Sequence, residues 1–274
     1  MPELPEVETT IRGLKPIVGS TILNIKIHTP KLRFFIPKNI LSMKQFKIIN
    51  IKRRAKYIFI ILENNYSIVI HLGMSGKLRL INVIEFKKAK HDHFILRTNK
   101  DHFLVFNDTR RFGFVDCEKT KIIQKRKYIM NLGKEALSRS LNDKYLFSKI
   151  RKSKVPIKQI LLNQRIIAGI GNIYANEILF NAKISPLEKG KDLNLGKCKQ
   201  IVFSTKKILK KAINAGGSTL RDYVAIDGTL GNFQRNFKVY GRAGDKILGK
   251  TIRKIVQYGR ATYYCPELQK KINN

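Results

Sequence analysis

Residues 163–177 read NQRIIAGIGNIYANE, and this stretch indicates the architecture of the second half of the chain. An apolar segment leads into Gly169-Ile170-Gly171, and a second apolar segment begins after Asn172. The pattern predicts a helix, glycine-bearing turns and a second helix, with Asn172 as its N-cap. The glycines leave the backbone bare where a phosphate would approach a helix N-terminus. A helical hairpin without a ligand is the alternative.

The secondary-structure pattern of the sequence changes at about residue 130. Upstream, β-type runs alternate with turns and predict two hairpins, over residues 57–72 and 93–106. One helix precedes them, because Leu4, Val7 and Ile11 recur at helical spacing. Downstream the pattern is helical, and Gly216-Gly217 stops the last helix. The C-terminal segment returns to a strand-like pattern.

The charge of the chain points to a polyanionic partner. The sequence has 55 Lys and Arg against 19 Asp and Glu, a formal net charge of +36. Such an excess is typical of nucleic-acid-binding proteins. Anionic lipid is an alternative partner. A genome that favours Lys codons could also supply part of the charge, since Ile and Asn are abundant too.

Other classes of protein are disfavoured. No apolar run approaches the roughly 20 residues that a membrane span needs. The acidic start, Met1-Pro2-Glu3-Leu4-Pro5-Glu6, does not have the form of a signal peptide. The three cysteines (117, 198 and 265) lie far apart without a pairing pattern. These features predict a globular cytoplasmic protein that does not associate with membranes.

The N-terminus offers an unusual nucleophile. Removal of Met1 would leave Pro2 with a free secondary amine, and an α-amine has a pKa of roughly 7.7–8.0. Attack by that amine on a sugar C1′ would give a charged iminium, which acidifies the neighbouring C2′ proton. Glu3 and Glu6 are candidate proton-transfer groups beside it. Proline and glutamate are also common in the first turn of an ordinary helix.

Two further segments could contact DNA. Lys56 and His71 stand at predicted strand ends, which suits phosphate contacts. Met74 lies in a glycine-bearing turn that could present it outward. Phe112 could enter a base stack while Arg110 or Arg111 fills the space of an extruded base. A solvated lysine, a core methionine and a buried phenylalanine flanked by surface arginines are the alternatives.

Taken together and in this order, eight motifs resemble the formamidopyrimidine-DNA glycosylase family over nearly the whole chain. One such motif would be weak, but eight in register exclude a chance match. They are PELPEVET (2–9), RRAKY (53–57), HLGMSG (71–76), KHDH (90–93), DTRRFG (108–113), GIGNIYANE (169–177), GGSTLRD (216–222) and VYGR (239–242).

The resemblance implies an α+β protein with DNA bound in a cleft. It implies an N-terminal catalytic β-sandwich flanked by helices over residues 1–131 and a helix–two-turns–helix domain over 132–235. A terminal β-hairpin finger would follow over 236–274. The implied enzyme is a monomer that acts on double-stranded DNA containing oxidised purines or abasic sites. It would excise 8-oxoguanine and formamidopyrimidines and then cut the strand by β,δ-elimination, in the nucleoid.

The resemblance also assigns roles to individual residues. The implied catalytic residues are Pro2, Glu3, Glu6, Lys56 and Arg260. Lys56, His71, Asn172 and Arg260 would hold phosphates, and Met74, Arg110 and Phe112 would fill the void left by the flipped nucleotide. Lys158 would also lie near the lesion. A lesion-closing loop would contain Ser218, Thr219, Arg221 and Tyr223. The pair Leu4-Pro5 looks like the purine-lesion branch rather than the endonuclease VIII branch.

One departure from the family concerns its structural zinc. The family's finger usually binds zinc through two CxxC pairs, whereas residues 240–269 contain only Cys265. All five histidines lie in the N-terminal half. Because a structural zinc needs four ligands, we expect no metal cofactor and a zincless finger that keeps Arg260 at its tip. We expect Ile252, Ile255, Val256, Tyr263 and Tyr264 to replace the metal by packing. A decayed finger with reduced activity is the alternative.

Two other functions share some of these features. A DNA-binding protein that has lost catalysis would keep the charge and the wedge but would not need Pro2 or Glu3. A ribosome-associated RNA binder could share the helix–two-turns–helix element without the Arg110–Phe112 wedge. The intact N-terminus therefore favours the enzyme.

Overall fold

The computed structural model describes residues 2–218 and 231–270, which form two compact units. Of the described residues, unit 1 contains 2–130, 215–218 and 231–234. Unit 2 contains 131–214 and 235–270, so the C-terminal hairpins group with the helices. The division into three domains at residues 131 and 235 stays a prediction.

Unit 1 is a sandwich of two antiparallel four-stranded sheets, with strand orders β1-β6-β7-β5 and β2-β3-β4-β8. The side chains of one apolar cluster from both sheets and from the first helix fill the core. In chain order the elements are α1 (Leu4–Gly13), β1 (Ile22–Ile27), β2 (Ile48–Arg54), β3 (Tyr57–Leu62), β4 (Tyr66–His71), β5 (Lys77–Asn82), β6 (Asp92–Thr98), β7 (His102–Asn107), β8 (Phe114–Lys119), α2 (Thr120–Ile123) and α3 (Lys127–Met130).

The register of the second sheet brings distant residues to one end. Tyr57 pairs with His71 across β3 and β4, and His71 pairs with Phe114 across β4 and β8. The rings of His71 and Phe114 stack with centroids 5.5 Å apart. The turn that contains Lys56 therefore lies at the same sheet end as His71.

Helix α1 buries Leu4, Val7 and Ile11, as its apolar spacing predicts. The Nε atom of Arg53 donates to the Glu8 carboxylate at 2.7 Å, and its Nη1 atom donates to the Ala55 carbonyl at 3.0 Å. One arginine thus ties the first helix to the turn after β2.

Unit 2 is mainly helical and ends in two short hairpins, β11-β12 and β13-β14. Helix α7 is amphipathic and ends just before Gly216-Gly217, as predicted. In chain order the elements are β9 (Lys134–Glu135), α4 (Asp143–Ile150), α5 (Ile157–Leu162), β10 (Ile167–Ala168), α6 (Asn172–Asn181), α7 (Leu195–Asn214), β11 (Lys246–Ile247), β12 (Lys250–Thr251), β13 (Arg253–Gln257) and β14 (Arg260–Tyr264).

The second helix predicted in the glycine-bearing stretch is present as α6, but the first is not, because α5 ends at Leu162 and residues 163–171 form turns around the short strand β10. The Gln164 side chain accepts from the Gly169 amide at 2.8 Å and donates to the Ile170 carbonyl at 2.7 Å. Helix α6 has Gly171 at its N-cap, so the prediction that Asn172 is the N-cap was wrong by one residue. Glycine meets the N-cap requirement here, and Asn172 becomes the first helical residue.

The predicted α+β architecture is confirmed, as are both predicted hairpins of the N-terminal half. Within residues 2–218 and 231–270, no helix is long and apolar enough to cross a membrane.

Candidate active site and nucleic-acid interface

The start of the first helix concentrates buried acidic groups. Pro2 is buried, and the side chains of Glu3 and Glu6 belong to residues that are 2% and 1% exposed. The Glu3 amide donates to Glu6 Oε2 at 2.9 Å, which is one half of a capping box. The helix N-terminus stabilises the negative charge of these carboxylates.

Glu6 also anchors the base of the expected lesion loop. Its Oε1 atom accepts from the Ser218 amide at 2.8 Å and from the Ser218 hydroxyl at 3.0 Å. Gly217, with φ +78°, packs so closely on Glu6 that an added Cβ would lie 3.1 Å from Oε1. Ser218 pairs with Asn232 in an antiparallel bridge. Of the expected loop residues, Thr219, Arg221 and Tyr223 lie outside the described residues.

Lys56 occupies a two-residue turn between β2 and β3. Ala55 has φ +53°, a left-handed conformation that tightens the turn and directs the chain into β3. Lys56 is only 7% exposed although it carries a formal charge. Burial of a charged group is costly unless hydrogen bonds or opposite charges compensate it, so Lys56 is not the solvated surface lysine of the alternative interpretation.

His71 is held as a neutral hydrogen-bond donor. Burial, followed by the charges of Lys56 and Arg33, lowers the pKa of His71 from its usual 6.5 to about 3. Its Nδ1 atom accepts from the Gly73 amide at 3.2 Å, so the proton of the neutral ring resides on Nε2. His71 can therefore donate to a phosphate oxygen without contributing a positive charge.

Met74 and Phe112 project from two turns that are packed together. Gly73 has φ +64°, and a side chain there would collide with the backbone of Phe112 and Gly113. Met74 is 39% exposed and Phe112 is 46% exposed. The Arg110 guanidinium lies 4.8 Å from the Phe112 ring centroid, a cation–π arrangement. The predicted wedge residues thus form one exposed cluster.

A buried aspartate fixes the relative position of these two turns. Asp108 accepts from the Ser75 hydroxyl at 2.6 Å and from the Gly113 amide at 2.8 Å. The Ser75 hydroxyl accepts in turn from the Arg110 amide at 3.0 Å. The wedge is therefore presented on a rigid support.

Arg33 also belongs to this region, although no sequence motif identified it. Its amide donates to the Gly113 carbonyl at 3.2 Å. Burial and Lys56 lower the pKa of His71, and the charge of Arg33 adds to that effect. Burial raises the pKa of Tyr57, and the charge of Arg33 opposes that rise. Phe34 packs edge-on against Phe114. The combination of two basic and two aromatic residues within 31–35 (KLRFF) was the signal that could have identified this segment.

In unit 2, the first residue of α6 meets the second hairpin. The Asn172 side-chain amide donates to the Ala261 carbonyl at 3.1 Å. Arg260 is exposed and begins β14 directly after the Tyr258-Gly259 turn, in which both residues have positive φ. Asn172 and Arg260 therefore lie near one another, as a shared phosphate site requires.

Lys158 contacts the terminal hairpin. It is fully buried, and its ammonium donates to the Ala261 carbonyl and the Thr262 hydroxyl. A direct contact of Lys158 with the lesion stays a prediction, and the structure gives this residue a role in the hairpin.

The apolar packing expected in the hairpin is only partly present. Ile252 and Tyr264 are buried, but Val256 is 71% exposed. In the described residues, no group of three or more His, Cys, Asp or Glu side chains could hold a metal. Cys265 is buried, and its Sγ atom lies 3.6 Å from a Glu267 carboxylate oxygen. The side chains of this hairpin therefore do not fit a structural zinc.

The chain matches known proteins over nearly its full length. The family model for the formamidopyrimidine-DNA glycosylase N-terminal domain matches residues 1–115, and the model for its H2TH domain matches residues 132–224. A formamidopyrimidine-DNA glycosylase of Zymomonas mobilis is 45% identical, with 98% of this chain and 100% of the relative covered. One from Rickettsia bellii is 41% identical with the same coverage.

The solved structures that match this chain belong to the same family as these relatives. Lactococcus lactis Fpg in complex with DNA containing an abasic site matches with a TM-score of 0.90 and 35% identity, covering 98% of this chain and 100% of that one. The MutM (Fpg) protein of Thermus thermophilus matches with a TM-score of 0.89 and 33% identity, covering 99% and 100%. Site geometry, family models and relatives lead to one conclusion: the chain belongs to the formamidopyrimidine-DNA glycosylase family.

Proposed function

We propose that this protein is a bifunctional DNA glycosylase and abasic-site lyase that removes oxidised purines, with Pro2 as its nucleophile. The observation that carries the proposal is the buried helix start, where Pro2 adjoins Glu3 and Glu6. Supporting it, a Lactococcus lactis Fpg mutant was solved with DNA containing Fapy-dG, and it matches with a TM-score of 0.91. The proposal requires removal of Met1.

The chemistry follows from a secondary amine at this position. The Pro2 lone pair forms a bond to C1′, the glycosidic bond breaks, and the base leaves with a proton. Opening of the sugar ring, assisted by Glu3, gives the iminium. The iminium acidifies the C2′ proton, whose loss expels the 3′ phosphate, and a second elimination expels the 5′ phosphate. Water then hydrolyses the iminium, which releases the sugar fragment as an aldehyde and regenerates the Pro2 amine.

The remaining residues position the DNA. Lys56 and Arg260 bind phosphates as cations, whereas His71 and Asn172 bind them as neutral donors. Met74, Arg110 and Phe112 enter the duplex and occupy the space of the flipped nucleotide. Since the substrate is chromosomal DNA, the protein acts in the cytoplasm at the nucleoid. It acts as a monomer.

The terminal hairpin works without zinc. Cys265 is the only cysteine near the hairpin, and a tetrahedral thiolate site cannot be assembled from one ligand. The Tyr258-Gly259 turn still delivers Arg260 to the start of β14. The finger thus keeps its DNA-contacting residue after losing its metal ligands.

Borohydride trapping tests the proposal. On a duplex containing 8-oxoguanine, borohydride should deliver hydride to the Pro2 iminium and leave a stable tertiary amine, which is a covalent protein–DNA adduct. Pro2→Gly should weaken trapping, and an N-terminal extension that blocks the amine should abolish it. Strand cleavage at the full rate by the blocked form would contradict the proposal. DNA binding without any adduct from the unblocked form would instead indicate a protein that has lost catalysis.

A further inference from the structure

Lys158 is a lysine whose whole side chain is buried in unit 2. It is 0% exposed, and its Nζ atom donates to the Ala261 carbonyl at 2.8 Å and to the Thr262 hydroxyl at 2.7 Å. Burying an ammonium is costly unless hydrogen bonds compensate it. Both of these acceptors belong to β14, the strand that begins at Arg260.

The Ala261 carbonyl accepts a second hydrogen bond. The Asn172 side chain donates to the same oxygen at 3.1 Å, so α5, α6 and β14 meet at one peptide group. The residue that carries this carbonyl, Ala261, directly follows Arg260. Any shift of Lys158 would therefore displace both Asn172 and Arg260, which the proposed function places on phosphates.

Further buried polar groups fix the rest of the hairpin. The Thr262 hydroxyl donates to Gln257 Oε1 at 2.9 Å, and the Gln257 amide donates to the Pro186 carbonyl at 3.3 Å. The Tyr263 amide donates to Asn176 Oδ1 at 2.8 Å. The hairpin is thus attached to the helical part of unit 2 by hydrogen bonds from both of its strands.

We propose that Lys158 is a positioning residue that places Arg260 for DNA binding by holding the Ala261 carbonyl and the Thr262 hydroxyl. The inference rests on the proposed function, because it takes Arg260 as a DNA contact. An isolated two-stranded hairpin is marginal in water, and a binding residue on it needs a supporting shell to be held within a fraction of an ångström. In this chain the buried Lys158 ammonium supports the hairpin in the way that a structural zinc usually supports the finger in this family.

A double-mutant cycle tests the inference. The variants are Lys158→Met, which keeps the length of the side chain, Arg260→Ala, and the two combined. The probe is a duplex that contains a tetrahydrofuran abasic analogue, and the measurements are Kd and its salt dependence. Lys158→Met alone should raise Kd at least about fivefold, since coupled contacts commonly reach this size. In the Arg260→Ala background the fold-change should be smaller, because only the part carried by Asn172 remains, and the salt slope should not fall further.

Two results would overturn the inference. If Lys158→Met lowers affinity further in the Arg260→Ala background and reduces the log–log salt slope by about 0.9, Lys158 contacts a phosphate directly. If Arg260→Ala leaves Kd unchanged, there is no DNA contact for Lys158 to position. Borohydride trapping of the unmodified protein reports the catalytic proposal separately from both outcomes.

Two further variants serve as controls, one for the loss of a charge and one for failure of Lys158→Met to fold. Lys199→Met removes one charge from the exposed face of α7 and should leave Kd unchanged. If Lys158→Met does not fold, Thr262→Val removes one of the two Lys158 acceptors at nearly constant volume and should raise Kd in the same Arg260-dependent way. Effects of Thr262→Val and Arg260→Ala that simply add would contradict the inference.

Discussion

The helix start of unit 1 and the terminal hairpin of unit 2 hold functional residues by different means. Glu3 and Glu6 sit on a helix end and a sandwich whose apolar core spans two sheets. Arg260 sits on a two-stranded ribbon without such a core, and buried polar side chains hold it in place. The first arrangement depends on many interchangeable contacts, whereas the second depends on a few specific ones. Single substitutions should therefore distinguish these two kinds of structural support.

The largest effect is expected at the helix start. Glu3→Gln keeps the size of the side chain but removes its ability to exchange a proton. Base release should fall by roughly 10²–10⁴-fold, the usual contribution of a general acid or base. Quantitation of free 8-oxoguanine in single-turnover reactions measures this, and Kd for the same duplex serves as the control. Base release at the full rate would remove Glu3 from the mechanism.

Substitution of the proposed phosphate-binding residues should have intermediate effects on DNA affinity, and its effect on salt dependence should follow the charge of the residue removed. Lys56→Ala and Arg260→Ala should each lower the slope of log K against log salt by about 0.9. His71→Gln should weaken binding without altering the slope, because the lowered pKa of His71 keeps the ring neutral. Binding measured between pH 8 and 5 should show a constant difference between His71→Gln and the unmodified protein. A difference that grows below pH 6.5 would mean that His71 binds as a cation.

A smaller effect, on stability, is expected from the residue that closes the hairpin. Gln269 is 1% exposed, accepts from the Cys265 amide at 2.9 Å and donates to the Ile184 carbonyl at 2.9 Å. Gln269→Ala would leave both buried groups unpaired, at a cost of about 1–3 kcal/mol. Thermal unfolding should show a lower Tm, whereas Lys270→Ala at the neighbouring exposed position should not. An unchanged Tm would show that the hairpin does not rely on these bonds.

The smallest effect is expected from metal removal. Chelators should leave strand cleavage unchanged, and Cys265→Ser should be almost silent because the hairpin has no thiolate site to lose. Elemental analysis of the purified protein should find no stoichiometric zinc. About one zinc per chain, or loss of cleavage with a chelator, would show that the hairpin needs metal.

Local patterns predicted the parts of the site that lie on regular elements. The hairpin over residues 57–72 follows from alternation and turn residues, and its register alone places Lys56 near His71. The helix that begins at Asn172 follows from the glycines before it. These features depend on residues close together in sequence, where period and turn chemistry are informative.

Side chains that bond across long sequence distances were not predictable in this way. The pattern identifies Lys158 as charged, and a charged residue is expected at the surface, yet Thr262 and Ala261 enclose it from about a hundred residues away. Asp108 likewise joins Ser75 to the wedge through side-chain contacts that no period reveals. Val256 was expected inside because it is apolar, but the two-stranded hairpin buries only one of its faces.

The two-sided use of the Glu6 carboxylate has a consequence for kinetics. One oxygen accepts from the Glu3 amide and the other accepts from Ser218, so a single carboxylate joins the start of α1 to the residue at which the proposed lesion loop begins. In the proposed mechanism, lesion recognition and bond breaking then depend on the same side chain. Substitutions at Glu6 and Ser218 should be strongly non-additive. Either substitution should slow lesion capture and the chemical step together.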